Sequence, residues 1–85
     1  MKDRDKARME TFRSNLRRLR EQRGWTQHDL ASRCDVHRSK ISALESNSFS
    51  NLSLTTLFEL AKGLGVHPKE LIDYHFDFLS GRKSD

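Results

Sequence analysis

The chain is predicted to be all-α, a five-helix bundle around one small core. Three observations predict this. Apolar residues recur at three- and four-residue spacing from Phe12 to Ile72. The segments they mark are bounded by Gly24, Thr26, Ser53 and Gly65, residue types that stop and start helices. No stretch alternates in the manner of a strand. With 85 residues there is room for one domain and no cleft between domains.

Residues 1–10 alternate charges with little that is apolar, and are expected to form a flexible charged arm or a solvated extra turn of the first helix. The domain proper is expected over 11–73. Helix 1, about 8–23, carries Phe12, Leu16 and Leu19 on one face and arginines on the others, and Gly24 closes it. Thr26 caps helix 2, about 27–33, and Asp29 stands where a capping box needs an acid. Trp25 and Leu30 occupy the two positions of a hydrophobic staple. Cys34-Asp35-Val36 is a tight link with Val36 as an apolar plug. Helix 3, about 38–46, buries Ile41 and Leu44. Ser53 caps helix 4, whose expected stripe is Leu54, Leu57, Leu60, Ala61 and Leu64, closed by Gly63 and Gly65. Val66 is a second plug. Pro68 suits the first turn of helix 5, followed by Leu71 and Ile72. Residues 74–85 form a tail, first hydrophobic and then polar, that either closes the core or makes a dimer contact.

Composition narrows the function classes. Sixteen Lys and Arg stand against 12 Asp and Glu, a formal charge of +4, divided as +6 over residues 1–42 and −2 over 43–85. A positive half of this kind suits a polyanionic partner. The single cysteine, Cys34, excludes an internal disulfide framework and favours a reducing, cytoplasmic location. It is expected to be structural, with a redox switch as the rarer alternative. No apolar run is long enough for a membrane span. The four histidines lack metal-ligand spacing, and neither a phosphate loop nor a paired-carboxylate pattern is present, so neither metal, cofactor nor enzymatic activity is expected.

Helices 2 and 3 have the dimensions of a helix-turn-helix. The major groove admits one helix, which must show polar groups outward and apolar ones backward. Helix 3 is laid out so, with Arg38, Ser39, Ser42 and Ala43 on the outer side and Ile41 and Leu44 on the inner.

Four stretches then resemble the Cro/phage-repressor (XRE) family of helix-turn-helix regulators, with their lambda-repressor-like fold. They are Leu16-Arg17-Arg18-Leu19-Arg20-Glu21, Trp25-Thr26-Gln27-His28-Asp29-Leu30-Ala31, Val36-His37-Arg38-Ser39-Lys40-Ile41-Ser42-Ala43-Leu44-Glu45, and Leu54-Thr55-Thr56-Leu57 with Leu64-Gly65-Val66. Asn47 stands where that family commonly has glycine, and Leu52 where it commonly has proline. The loop Asn47-Ser48-Phe49-Ser50-Asn51-Leu52 looks more like the controller proteins of restriction-modification systems.

The resemblance implies roles. Arg38, Ser39, Ser42 and Ala43 match the family's base-contacting positions, and an arginine there can bond bidentately to guanine. Gln27 matches the glutamine that bonds phosphate and braces the reading helix. Phosphate contacts are expected from Gln27, His37, Lys40, Asn47, Ser48 and Arg17, with capping as the other reading of His37. Arg13, Arg17, Arg23 and Arg33 are expected to supply a positive field or to be ordinary solvated side chains. Arg20 and Glu45 match a family ion pair that ties helix 1 to the end of helix 3.

The function expected is a sequence-specific, double-stranded DNA-binding transcriptional regulator. It would act as a homodimer on a pseudopalindromic operator with half-sites about 34–36 Å apart. Ile72, Tyr74, Phe76, Phe78 and Leu79 supply the expected dimer interface. No small-molecule effector or membrane partner is expected. The alternatives are an antitoxin-like or adaptor module that binds another protein through the same fold, and a nuclease, which the missing carboxylate cluster disfavours.

Overall fold

The computed structural model describes residues 3–46 and 52–73. Among these residues the chain forms four α-helices and one 3-10 turn, with no strand: α1 (Asp3–Gln22), α2 (Gln27–Ala31), α3 (Arg38–Glu45), α4 (Leu54–Leu64) and the turn Pro68–Glu70.

The expected arm is helical from Asp3 onward, so residues 3–10 are the first turns of α1. Their alternating charges fall at helical spacing: Arg8 lies 3.7 Å from Asp5, and Arg13 2.9 Å from Glu10. Pairs three apart on a helix surface are mildly stabilising. Charge alternation here supports helix instead of breaking it.

The α1–α2 corner is built by local chemistry. Gly24 takes φ +71°, the left-handed conformation that ends a helix. Thr26 then caps α2: its hydroxyl accepts from the Asp29 N–H at 3.0 Å, and its own N–H donates to Asp29 Oδ2 at 2.8 Å. The predicted capping box is therefore present, though α2 closes at Ala31 with Ser32 as its cap, shorter than the predicted 27–33. Ser53 caps α4 by accepting from the Thr56 N–H at 3.1 Å, and Gly65 closes it at φ +73°.

The buried core is Phe12, Leu16 and Leu19 of α1, Leu30 of α2, Val36, Ile41 and Leu44 at and in α3, Leu57, Leu60, Ala61 and Leu64 of α4, and Leu71. Leu54 departs from the expected buried stripe, at 64% exposed, and Ile72 is 42% exposed. Leu54 opens α4, and helical Cβ atoms lean toward the N-terminus, so its side chain projects past the packed end of the helix. Ala31 and Val66 are half-buried against the core.

The expected fifth helix is a three-residue 3-10 turn. His67 caps it through Nδ1, which accepts from the Lys69 N–H at 3.0 Å. Leu71 and Ile72 donate to the carbonyls of Pro68 and Lys69, three residues back. Asn15 of α1 donates to the carbonyls of both Leu71 and Asp73, at 3.1 and 3.2 Å. Those acceptors are taken by a side chain, and Leu71 enters the core.

Close packing explains Gly63. A Cβ there would stand 3.0 Å from Cys34 Cβ, 3.3 Å from Leu30 Cδ1 and 3.4 Å from the Arg33 carbonyl. Gly63 lets α4 lie directly against the end of α2 and its turn.

Candidate nucleic-acid interface

The sequence from Gln27 to Glu45 folds as helix, turn and helix because both helices are capped locally and the turn is pinned from outside. Ser32 Oγ donates to the Asp29 carbonyl at 2.7 Å, and the Asp35 N–H donates to Glu59 Oε1 of α4 at 2.9 Å. Val36 is buried at the foot of the turn. His37 is the N-cap of α3, its Nδ1 accepting from the Ser39 N–H at 3.1 Å. The cap, one of its two expected uses, is thus present.

From that cap α3 presents two faces. Ile41 and Leu44 are buried, and Arg38 and Ser39 are exposed at its start. Ser42, Ala43 and Lys40 are half-buried along the same helix. The four residues expected to meet base edges thus share one short helix, and its leading pair is exposed, with the Ser39 hydroxyl 2.9 Å from His37 Nδ1.

The far end of α3 is held by a buried carboxylate. Glu45 is 2% exposed. Its Oε2 accepts from Arg20 Nε and its Oε1 from Arg20 NH2, both at 2.8 Å, a bidentate pair. Gln27 Nε2 donates to the same Oε1 at 3.1 Å, so the first residue of α2 is tied to the last of α3. Arg20 also donates to the Trp25 carbonyl at 2.6 Å. Its hydrogen bonds to Glu45 push the guanidinium pKa further up, outweighing the cost of burial. Among the described residues no buried side-chain polar atom is without a partner.

The expected field arginines have specific partners. Arg17 donates to the Glu45 carbonyl at 3.1 Å and stands 3.8 Å from Glu45 Oε1, with its side chain 54% exposed. Arg13 donates to the Ser46 carbonyl at 3.2 Å. Arg23 bridges the carbonyls of Leu19 and Leu64, at 2.8 and 3.0 Å, and so joins α1 to α4. Arg33 lies 4.0 Å from the Trp25 ring centroid, and Arg23 5.9 Å, both within cation–π range. The Trp25–Arg33 contact, the Glu59 brace and the carbonyl bonds of Arg13 and Arg23 were all missed at the level of sequence. A basic residue near a tryptophan was the only visible signal for any of them.

Cys34 is half-buried in the turn, its thiol donating to the Leu30 carbonyl at 3.4 Å. Burial pushes its pKa up, the opposite of what an activated thiol needs. Asp29 is shifted the other way, below the usual carboxylate range, by the Thr26 N–H it accepts. Ile72 is exposed, as a contact residue must be. Asn47, Ser48, Tyr74, Phe76, Phe78 and Leu79 lie outside the described residues. Among the described residues no helix is long and apolar enough to cross a membrane.

Comparison with known proteins places these features in a family. A helix-turn-helix family profile, HTH_3, matches residues 16–71. The control protein C.BamHI of Bacillus amyloliquefaciens is 38% identical over 64 residues, which are 74% of this chain and 78% of that protein. The crystal structure of the restriction-modification controller protein C.AhdI from Aeromonas hydrophila superposes with a TM-score of 0.71 at 34% identity, covering 76% of this chain and 97% of that one. The antitoxin HipB of Escherichia coli O6:H1 is 39% identical over 49 residues, 58% of this chain and 51% of the antitoxin.

Proposed function

The chain belongs to the helix-turn-helix family of DNA-binding transcription regulators, of the controller-protein type, and from that premise we propose that it binds a two-fold symmetric operator as a homodimer. The observation that carries the reading is the contrast between the two ends of α3. Its start exposes Arg38 and Ser39, while its end is clamped by Glu45 to α1 and α2. A helix held so from behind suits insertion into the major groove, with α2 crossing the backbone.

In that pose Arg38 bonds a guanine edge, Ser39 and Ser42 donate or accept, and Ala43 meets a thymine methyl or the groove wall. Gln27, His37, Lys40 and Arg17 face phosphates, together with Asn47 and Ser48 beyond the described residues. Ile72 joins Tyr74, Phe76, Phe78 and Leu79 in the dimer contact, and Leu54 and Phe58 add exposed apolar area on α4. DNA in the cytoplasm is the partner, with no small-molecule effector. The protein is a regulator and not an enzyme.

Selection from random duplexes tests this, followed by titration of the selected and a scrambled sequence over a salt series. A regulator selects a two-fold symmetric site bound at least about a thousandfold tighter than the scramble. Arg38→Ala then relaxes one base pair per half-site by roughly 1–3 kcal/mol. Weak, salt-driven binding with no enriched motif sinks the proposal. It would favour a protein-binding role, for which the likeness to an antitoxin over about half its length is the supporting observation.

A further inference from the structure

The contacts that α1 makes with the end of α3 extend the reading above to a residue that touches no DNA. A helix end leaves its last carbonyls without backbone partners. In α3 the Ala43 carbonyl is satisfied by Ser46, through its N–H at 3.3 Å and its Oγ at 2.9 Å. Two carbonyls further on are taken by α1: Glu45 by Arg17 at 3.1 Å, and Ser46 by Arg13 at 3.2 Å. At Ser46 the chain has already left the helix, with φ −95° and ψ −178°.

The two arginines differ in what they leave over. Arg17 is 54% exposed and keeps surface for a phosphate, but the Arg13 side chain is only 16% exposed. Its second amino group donates to Glu10 Oε2 at 2.9 Å, and Glu10, one turn earlier on α1, is 60% exposed. Arg13 is thus stretched between a surface carboxylate on its own helix and the backbone where α3 ends. Both guanidiniums also place positive charge at the C-terminal end of the α3 dipole, where it is favourable.

We propose that Arg13, oriented by Glu10, is a positioning residue for DNA recognition: it fixes where α3 ends relative to α1, and so the angle at which Arg38 and Ser39 reach the bases. This rests on the operator-binding reading above.

The two residues give opposite-signed tests. Wild type, Arg13→Gln and Glu10→Gln are titrated against the selected operator and its scramble over a salt series, below each protein's unfolding midpoint. Arg13→Gln should lose about three- to tenfold on the operator and far less on the scramble. Its salt slope should change by much less than the ~0.9 of a lost phosphate contact. Glu10→Gln removes a negative charge, so charge alone strengthens binding to both duplexes. Positioning instead predicts tighter scramble binding but about two- to threefold weaker operator binding. Glu10 is exposed, so this variant keeps the fold even if Arg13→Gln does not.

Equal losses on both duplexes with a slope lower by about 0.9 would make Arg13 a phosphate contact and overturn the proposal. So would tighter operator binding by Glu10→Gln, or equal loss on both duplexes in step with a smaller folded fraction by circular dichroism. A wild type with no preferred sequence removes the regulator reading first, and this one with it.

Discussion

Glu45→Gln is the sharpest perturbation of this fold, because it keeps the shape of a buried side chain and removes only its charge. The carboxylate accepts three hydrogen bonds: two from Arg20 at 2.8 Å and one from Gln27 at 3.1 Å. An amide with its oxygen at the Oε1 position retains the bonds from Arg20 NH2 and Gln27. Its NH2 group then faces Arg20 Nε, another donor, and that bond is lost outright. A charge-assisted bond contributes roughly 1.5–3 kcal/mol, and the two survivors weaken as well. Arg20, with an 11% exposed side chain, is left as a poorly compensated charge, a situation that costs about 3–5 kcal/mol. We expect about 3 kcal/mol for Glu45→Gln, the low end of that range, since Arg20 keeps its bond to the Trp25 carbonyl. For a domain of this size each kcal/mol moves the midpoint by about 4–8 °C, so Tm should fall by about 12–24 °C. Thermal and urea unfolding followed by circular dichroism measure this. The double variant Arg20→Met, Glu45→Met should be more stable than the sum of its singles by at least about 2 kcal/mol, because it leaves no orphaned charge. A Glu45→Gln cost below about 1 kcal/mol, with an additive cycle, would refute the picture of a desolvated pair.

Three further outcomes follow from other parts of the fold. Gly63→Ala should destabilise by up to about 2 kcal/mol in urea unfolding and should not stabilise: alanine favours helix by about 1 kcal/mol, but its Cβ would sit 3.0 Å from that of Cys34, and overpacking costs about 1–3 kcal/mol. Cys34 should react with a thiol reagent at mildly alkaline pH more slowly in the folded protein than in urea, because burial raises its pKa. The capping contribution of Asp29, whose folded pKa is depressed, should be fully present above the ordinary carboxylate pKa of about 4 and be lost as pH falls through the lower folded value. Asp29→Asn should flatten that part of the acid limb, which unfolding curves between about pH 2 and 5 would register.

What was legible in the sequence was whatever is settled within a few residues. Thr26 with Asp29, Ser53 and the two left-handed glycines announce helix ends because the bonds and backbone angles involved are local. The core was legible where apolar spacing runs through a helix interior, and failed at its margin, at Leu54, where end geometry outweighs periodicity. Where a fifth helix was expected the described chain has a 3-10 turn at Pro68–Glu70, and Asn15 takes carbonyls 56 and 58 residues away, which no local pattern at Pro68 reveals. The same reason hid the roles of Arg13, Arg23 and Glu59. Their partners on other elements are backbone groups, which every residue carries, so the partner leaves no trace in side-chain composition. Arg20 and Glu45 were legible only through family resemblance, and there the structure brings the two together.

Trp25 is the only tryptophan in the chain, and its position makes the molecule its own optical probe. The indole stands at the corner between α1 and α2, against the core, with the Arg33 guanidinium 4.0 Å from the ring centroid. Its emission therefore responds to water entry and to the loss of that cation at one junction, whereas far-ultraviolet ellipticity sums over all the helices. If the domain melts as one unit, the two signals trace coincident transitions. A fluorescence change that precedes the ellipticity change would place the first opening at the α1–α2 corner, where the reading unit is joined to the rest of the protein.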